Sequence, residues 1–158
     1  MNREYCGVRV SRSLRLAIPL INLEEIIQVK FADISPIPGI ANTILGAVHQ
    51  KGKLLWVLNL EAYLGLKPTP FGSSILAVIL TEVFTNQMAE QQKEPKRIAC
   101  RILGIERTLA ARDAEIIRLP PRLPTLAQSI LKGVFKQDAF TGAVLDPQSL
   151  FVSLNPEA

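Results

Sequence analysis

A chain of 158 residues, 48% apolar and 20% charged, is long enough to bury a core without help from disulfides or metals. Its net charge of +4 comes from dispersed lysines and arginines, and its aromatics (6%) do not interleave with a basic run, which argues against a nucleic-acid binder. The longest clean apolar run, Ile75 to Leu80, is far short of the about 20 residues that cross a bilayer, and no basic segment followed by an apolar stretch opens the chain. A soluble, cytoplasmic protein with no direct membrane insertion is expected.

The first local signal is alternation. Val8, Val10, Leu14, Leu16, Ile18 and Leu20 share one parity, and Arg9, Ser11, Ser13, Arg15 and Pro19 hold the other. Period two predicts half-buried strands, and Ser11-Arg12-Ser13 predicts the turn of a hairpin with arms Arg9–Val10 and Leu14–Leu20. Glu24 to Phe31 is rich in β-branched residues and reads as a strand, with Glu24-Glu25 exposed. Two prolines and a glycine make Ser35 to Gly39 irregular. Asn42 then stands as a helix N-cap before Thr43–Val48, a helix of barely two turns that ends at the Lys51-Gly52-Lys53 turn.

Leu54 to Leu60 predicts a further strand, and Glu61–Leu64 a helical turn stopped by Gly65. Lys67-Pro68-Thr69-Pro70 is the best linker candidate. Ser73 to Phe84 resumes as a long strand whose near-continuous apolarity implies burial on both faces. The polar stretch Thr85–Lys96 reads as a mobile loop before a return strand, Arg97–Leu103. Ile105 to Ile117 is mixed, residues 119–124 are irregular, and Ser129 to Phe135 is short and apolar. Phe140–Leu145 is a last strand, followed by a closing helical turn over Gln148–Val152. No repeat is found by identity. There is an architectural echo: Leu54–Leu66 and Phe140–Leu154 each run strand, helical turn, leucine-rich stop. Short strands with brief helices predict an all-β barrel or sandwich.

Catalytic chemistry is poorly supplied. His49 is the single histidine, and no G-x-S-x-G elbow or phosphate-binding glycine loop is present. Cys6 and Cys100 form no CxxC and read as reduced thiols, a disulfide between them being the alternative. With one histidine and two separate cysteines, no metal site is expected, and no cofactor. The balance favours a binding module over an enzyme; a small hydrolase built on His49 is the competing reading.

The segment from Pro36 to Leu60, PIPGIANTILGAVHQKGKLLWVLNL, followed by Leu64-Gly65-Leu66, resembles the signature of the CheW-like domain family: a Pro-x-Pro stretch, a small-residue strand, an Asn-Leu-Arg-Gly turn and a strand ending in Asp-Leu. The opening hairpin with Glu24-Glu25-Ile26-Ile27, and later Ile102–Arg107 and Ile130–Val134, are similar in layout. Three positions depart from the pattern. The turn is His49-Gln50-Lys51-Gly52, the Asp-Leu aspartate is Asn59, and Glu106-Arg107 replaces a Val-Asp pair. Lys51 keeps the charge of the family's receptor-contact arginine but not its planar fork of donors.

The resemblance implies two five-stranded barrels, each like a Src-homology-3 barrel, around a shared core. The expected division is residues 1–68 for the first barrel and 69–158 for the second, with the C-terminal segment free to pack back on the first. It implies an adaptor that couples the cytoplasmic tip of a chemoreceptor to the regulatory domain of a CheA-type histidine kinase. The alternative is a divergent scaffold of a pilus-motility system that binds the kinase alone. The expected partner surface comprises Ile40, Ile44, Leu45 and Val48 on one helical face, Gly46 for close approach of a partner backbone, and His49, Lys51 and Gly52 at the rim; burial of that helical face on the barrel is the competing reading.

Overall fold

The computed structural model describes residues 2–83 and 94–154. The alternating opening forms a hairpin of β1 (Asn2–Arg9) and β2 (Arg15–Pro19), with Arg9 opposite Arg15. β3 (Leu23–Lys30), β4 (Ile44–Gln50) and β5 (Lys53–Leu58) follow, then the four-residue α1 (Leu60–Tyr63). β6 (Ser74–Thr81), β7 (Arg97–Ile102) and β8 (Gly104–Arg112) come next. The chain ends with α2 (Thr125–Ile130), β9 (Leu131–Gln137), β10 (Phe140–Leu145) and α3 (Pro147–Leu154). The expected loop over 85–96 falls largely outside the described residues; 94–96 carry no regular structure.

The strands form two five-stranded curled sheets, ordered β8-β1-β2-β10-β9 and β3-β6-β7-β5-β4. The all-β, two-barrel expectation holds, but the division at 68/69 does not separate the barrels. Each sheet takes a hairpin from one half of the chain and three strands from the other. The joins are parallel pairs, Ala143 opposite Leu16 and Leu58 opposite Cys100. The two strand orders correspond one to one, so the echo between the chain's halves extends to the sheet topology.

This exchange explains the apolar run in β6. Leu80 and Val78 face a core shared by both sheets, whereas Ile75, Ala77 and Ile79 face the interior of their own barrel. Both faces are buried, as the run predicted. The first barrel has a separate interior, with Tyr5, Phe135 and Phe140 in tilted aromatic contact. Cys6 and Cys100 are free thiols, and burial pushes Cys100 up to about 12.

Each barrel closes by a short backbone bridge. Ser35 exchanges both hydrogen bonds with Ala47 at 2.8 and 2.9 Å, and Ile117 does so with Val134 at the same distances. Glycine is required beside each bridge. At Gly46, where φ is +145°, a Cβ would overlap the Ser35 carbonyl; Gly133 faces Ile117 in the same way.

The expected helix over Thr43–Val48 is a strand. Leu45 is an inserted residue, since Ile44 pairs with Leu58 and Gly46 with Val57. The bulge places Leu45 and Val48 on one face, packed into the barrel interior. Apolar residues three apart on one face imitate a helix.

Residues 67–71 are not a loose linker either. Glu61, 1% exposed, accepts the Thr69 N–H at 2.6 Å and the Thr69 hydroxyl. Arg101 donates to the Thr69 and Pro70 carbonyls, both at 3.0 Å, lies 3.7 Å from Glu61, and stacks 4.1 Å from the Phe71 ring centroid. A buried ion pair with its hydrogen bonds filled straps the segment down.

Two outcomes follow. Glu61→Gln, which leaves Arg101 without its carboxylate, should lower stability by about 3–5 kcal/mol in urea unfolding. Gly46→Ala should cost several times more than Gly52→Ala, because Gly52 (φ +78°) has open space around it and needs only its left-handed backbone, worth about 1–2 kcal/mol. Equal losses would contradict the packing argument.

Candidate functional site

A groove of about 660 Å3 is walled by the 39–44 loop and α3, with Trp56 of β5, Tyr63 of α1 and Ile98 of β7 between them. α3 follows β10 of one barrel, while the other walls belong to the second barrel and to α1, which follows it, so the groove lies where the barrels meet. α3 is placed by its cap. Pro147 opens it, and Asp146 accepts from the Ser149 hydroxyl at 2.8 Å and its N–H at 3.4 Å. Ser153 donates to the Leu150 carbonyl at 2.8 Å, so the 2.6 Å contact between Tyr63 and Ser153 has the Tyr63 hydroxyl as donor. The two hydroxyls thereby satisfy each other and leave a mostly apolar surface.

Beside the groove lies a polar clasp. Arg97 binds Glu24 through both carboxylate oxygens, at 2.9 and 2.6 Å, and donates to the Gln50 side-chain oxygen at 2.9 Å. Gln50 in turn donates to Glu25 at 2.8 Å, and Lys51 reaches the other Glu25 oxygen at 3.0 Å. The bidentate fork of Arg97 holds the Glu24 carboxyl below its ordinary 4.5. These carboxylates, read from sequence as merely exposed, tie β3 to the β4–β5 turn across the barrel's closure.

The eight expected partner-site residues are divided among several environments. Ile40 and Ile44 line the groove. Leu45 and Val48 point into the barrel, so the expected helical face does not exist. Gly46 admits the chain's own Ser35 backbone. His49 is exposed opposite Leu54, and among the described residues its side chain makes no hydrogen bond. Lys51 and Gly52 form the two-residue turn, both with positive φ, at 53° and 78°. Lys51 does not line the groove but joins it through Glu25, Gln50 and Arg97. Trp56, Tyr63, Phe151 and Leu154 were not anticipated. The single tryptophan and the leucine-rich end of the chain were the available signals.

Among the described residues no three His, Cys, Asp or Glu side chains gather to hold a metal, and no helix is long and apolar enough to cross a membrane. The clasp makes one pH-dependent contribution. Because the folded Glu24 value is depressed, its pair stabilises the fold above the unfolded value and is lost as pH falls through the folded one. The stability gap between wild type and Glu24→Gln, measured by urea unfolding, should therefore be full at pH 7 and shrink below 4.5. A gap independent of pH would contradict the assignment.

No curated protein matches the chain. Among solved structures, the crystal structure of the scaffolding protein TtCheW from Thermoanaerobacter tengcongensis matches with a TM-score of 0.72, covering 92% of this chain and 89% of that one at 14% identity. That likeness is one of fold. A family model, the CheW-like domain, matches residues 4–155 and so takes in both barrels, the closing bridges and the groove. The chain belongs to the CheW-like domain family.

Proposed function

We propose that the chain is a coupling adaptor of chemotaxis-type signalling, holding a chemoreceptor's cytoplasmic tip and the regulatory domain of a CheA-type histidine kinase in one complex. The observation that carries this reading is the groove between the barrels. Ile40, Ile44, Trp56, Phe151 and Leu154 give it an apolar lining, and the Tyr63 and Ser153 hydroxyls are already paired. Such a surface suits the apolar face of a helix better than a polar substrate. Family membership over residues 4–155 supports the same reading. The lone histidine, exposed on β4, offers no nucleophile–base pair.

One observation favours the narrower alternative, a scaffold that binds the kinase alone, as in a pilus-motility system. Lys51, at the position of the family's receptor-contact arginine, is already engaged by Glu25 at 3.0 Å. Lys51 is mostly exposed, so its pair with Glu25 is a weak one.

Titration calorimetry with a receptor-tip hairpin and with the kinase regulatory domain separates the readings. The adaptor reading expects micromolar binding to both and loss of receptor binding in Ile44→Asp. Lys51→Ala should weaken the receptor titration by about tenfold or less, mostly at low salt. Binding to the kinase domain alone selects the scaffold. Binding to neither overturns both.

A further inference from the structure

The internal repeat builds the groove twice. In register, Arg15 of β2 stands where Arg97 stands in β7, because Ala17 pairs with Val144 as Ala99 pairs with Val57. Arg15 meets Glu106 at 2.6 Å as Arg97 meets Glu24. The 119–124 segment replaces the 39–44 loop, Ala143 replaces Trp56, and Leu64 to Leu66 replace the end of α3. Together they enclose a second groove of about 300 Å3.

The two grooves differ in lining and charge. Leu14 takes the place of Lys96, and Leu64, Leu66, Leu119 and Leu123 make the second lining aliphatic. Around it, Arg12, Lys67, Arg118, Arg122 and Lys132 are all exposed, each within one residue of a lining position. No acidic residue lies within two positions of any lining residue. Arg15 and Glu106 neutralise each other. The first groove is bordered instead by mixed charge, with Glu24 on Arg97 and Glu94 two residues before Lys96.

We propose that this second groove is a docking site for an amphipathic protein helix that presents a ridge of aliphatic side chains flanked by aspartates and glutamates. Concavity selects a convex ridge over a flat bilayer. The small side chains of Ala127 and Ala143 leave room for inserted leucines, and the basic collar selects acidic flanks by charge complementarity. Different charge surroundings let two grooves of one design sort two partners. The inference concerns a different surface from the receptor groove and stands or falls independently of it.

The test is fluorescence anisotropy of the full chain with two labelled helical peptides of roughly 18 residues, each with leucines on one face and the rest mainly glutamate in one, lysine in the other. The acidic peptide should bind, with affinity falling as salt rises, and the basic one at least about tenfold more weakly. Arg118→Glu/Arg122→Glu and Leu123→Ser should each weaken the acidic peptide by about tenfold or more. Ile44→Ser, in the other groove, should not. Circular dichroism melts confirm that each variant folds. Equal binding of the two peptides, indifference to Arg118→Glu/Arg122→Glu, or sensitivity to Ile44→Ser alone would overturn the proposal. So would association with phosphatidylserine–phosphatidylcholine vesicles in the absence of acidic-peptide binding, which would assign the collar to a membrane surface.

Discussion

The exchange of hairpins between the two halves of the chain is the constraint on which the molecule depends. Neither half contains a complete barrel. The hairpin β1–β2 finishes a sheet whose other strands are β8, β9 and β10, and β6–β7 finishes the other. Each join is a parallel pair of two residues, short enough that backbone bonding alone would hold it weakly. The side chains on the far face of those strands do the rest. Leu16 and Ile18 from one sheet, and Leu80 and Cys100 from the other, meet in the common core, where each fully buried aliphatic contributes roughly 1.5–3 kcal/mol.

The functional surfaces follow from this interlock. A groove whose walls come from both barrels exists only while the barrels are held in register. α1 and α3, which follow β5 and β10, sit at equivalent places and supply the equivalent wall of each groove. The strap 67–71, anchored by Glu61 and Arg101, fixes the end of α1 beside it. The repeat then diverges in charge. At the two hairpin turns, Lys51 pairs with Glu25 in one barrel and Asp138 lies 4.0 Å from Arg107 in the other, so the same pairing is kept with the signs reversed. One fold thus presents two ends of similar shape and different electrostatics.

Much of the fold was legible in the sequence because alternation reports burial directly. Val8 to Leu20 gave the hairpin, and the double-sided burial of Ile75–Leu80 was visible as unbroken apolarity. Where the reading failed, backbone irregularity was the cause. A bulge at Leu45 imitated helical spacing, and β8 showed no clear alternation because only Leu109 and Ala111 in its sequence are buried. The hairpin exchange left no local mark, since which strand pairs with which is decided by the shared core. The site was less legible than the fold. Gly46 was expected to admit a partner's backbone, and the backbone it admits is that of the chain's own Ser35. Glu24 and Glu25 lie far in sequence from Gln50 and Arg97, and their meeting depends on barrel closure.

The interlock has a direct physical consequence, that both barrels open together. Native-state amide hydrogen exchange across rising urea reads this for each strand. The account predicts that Ile18 and Val144 in one sheet, and Ile79 and Cys100 in the other, exchange with one common free energy equal to that of global unfolding. Exchange from one of those pairs at a distinctly lower free energy, with the other pair still protected, would mean that the barrels are independent units and would contradict the shared core as the source of the fold.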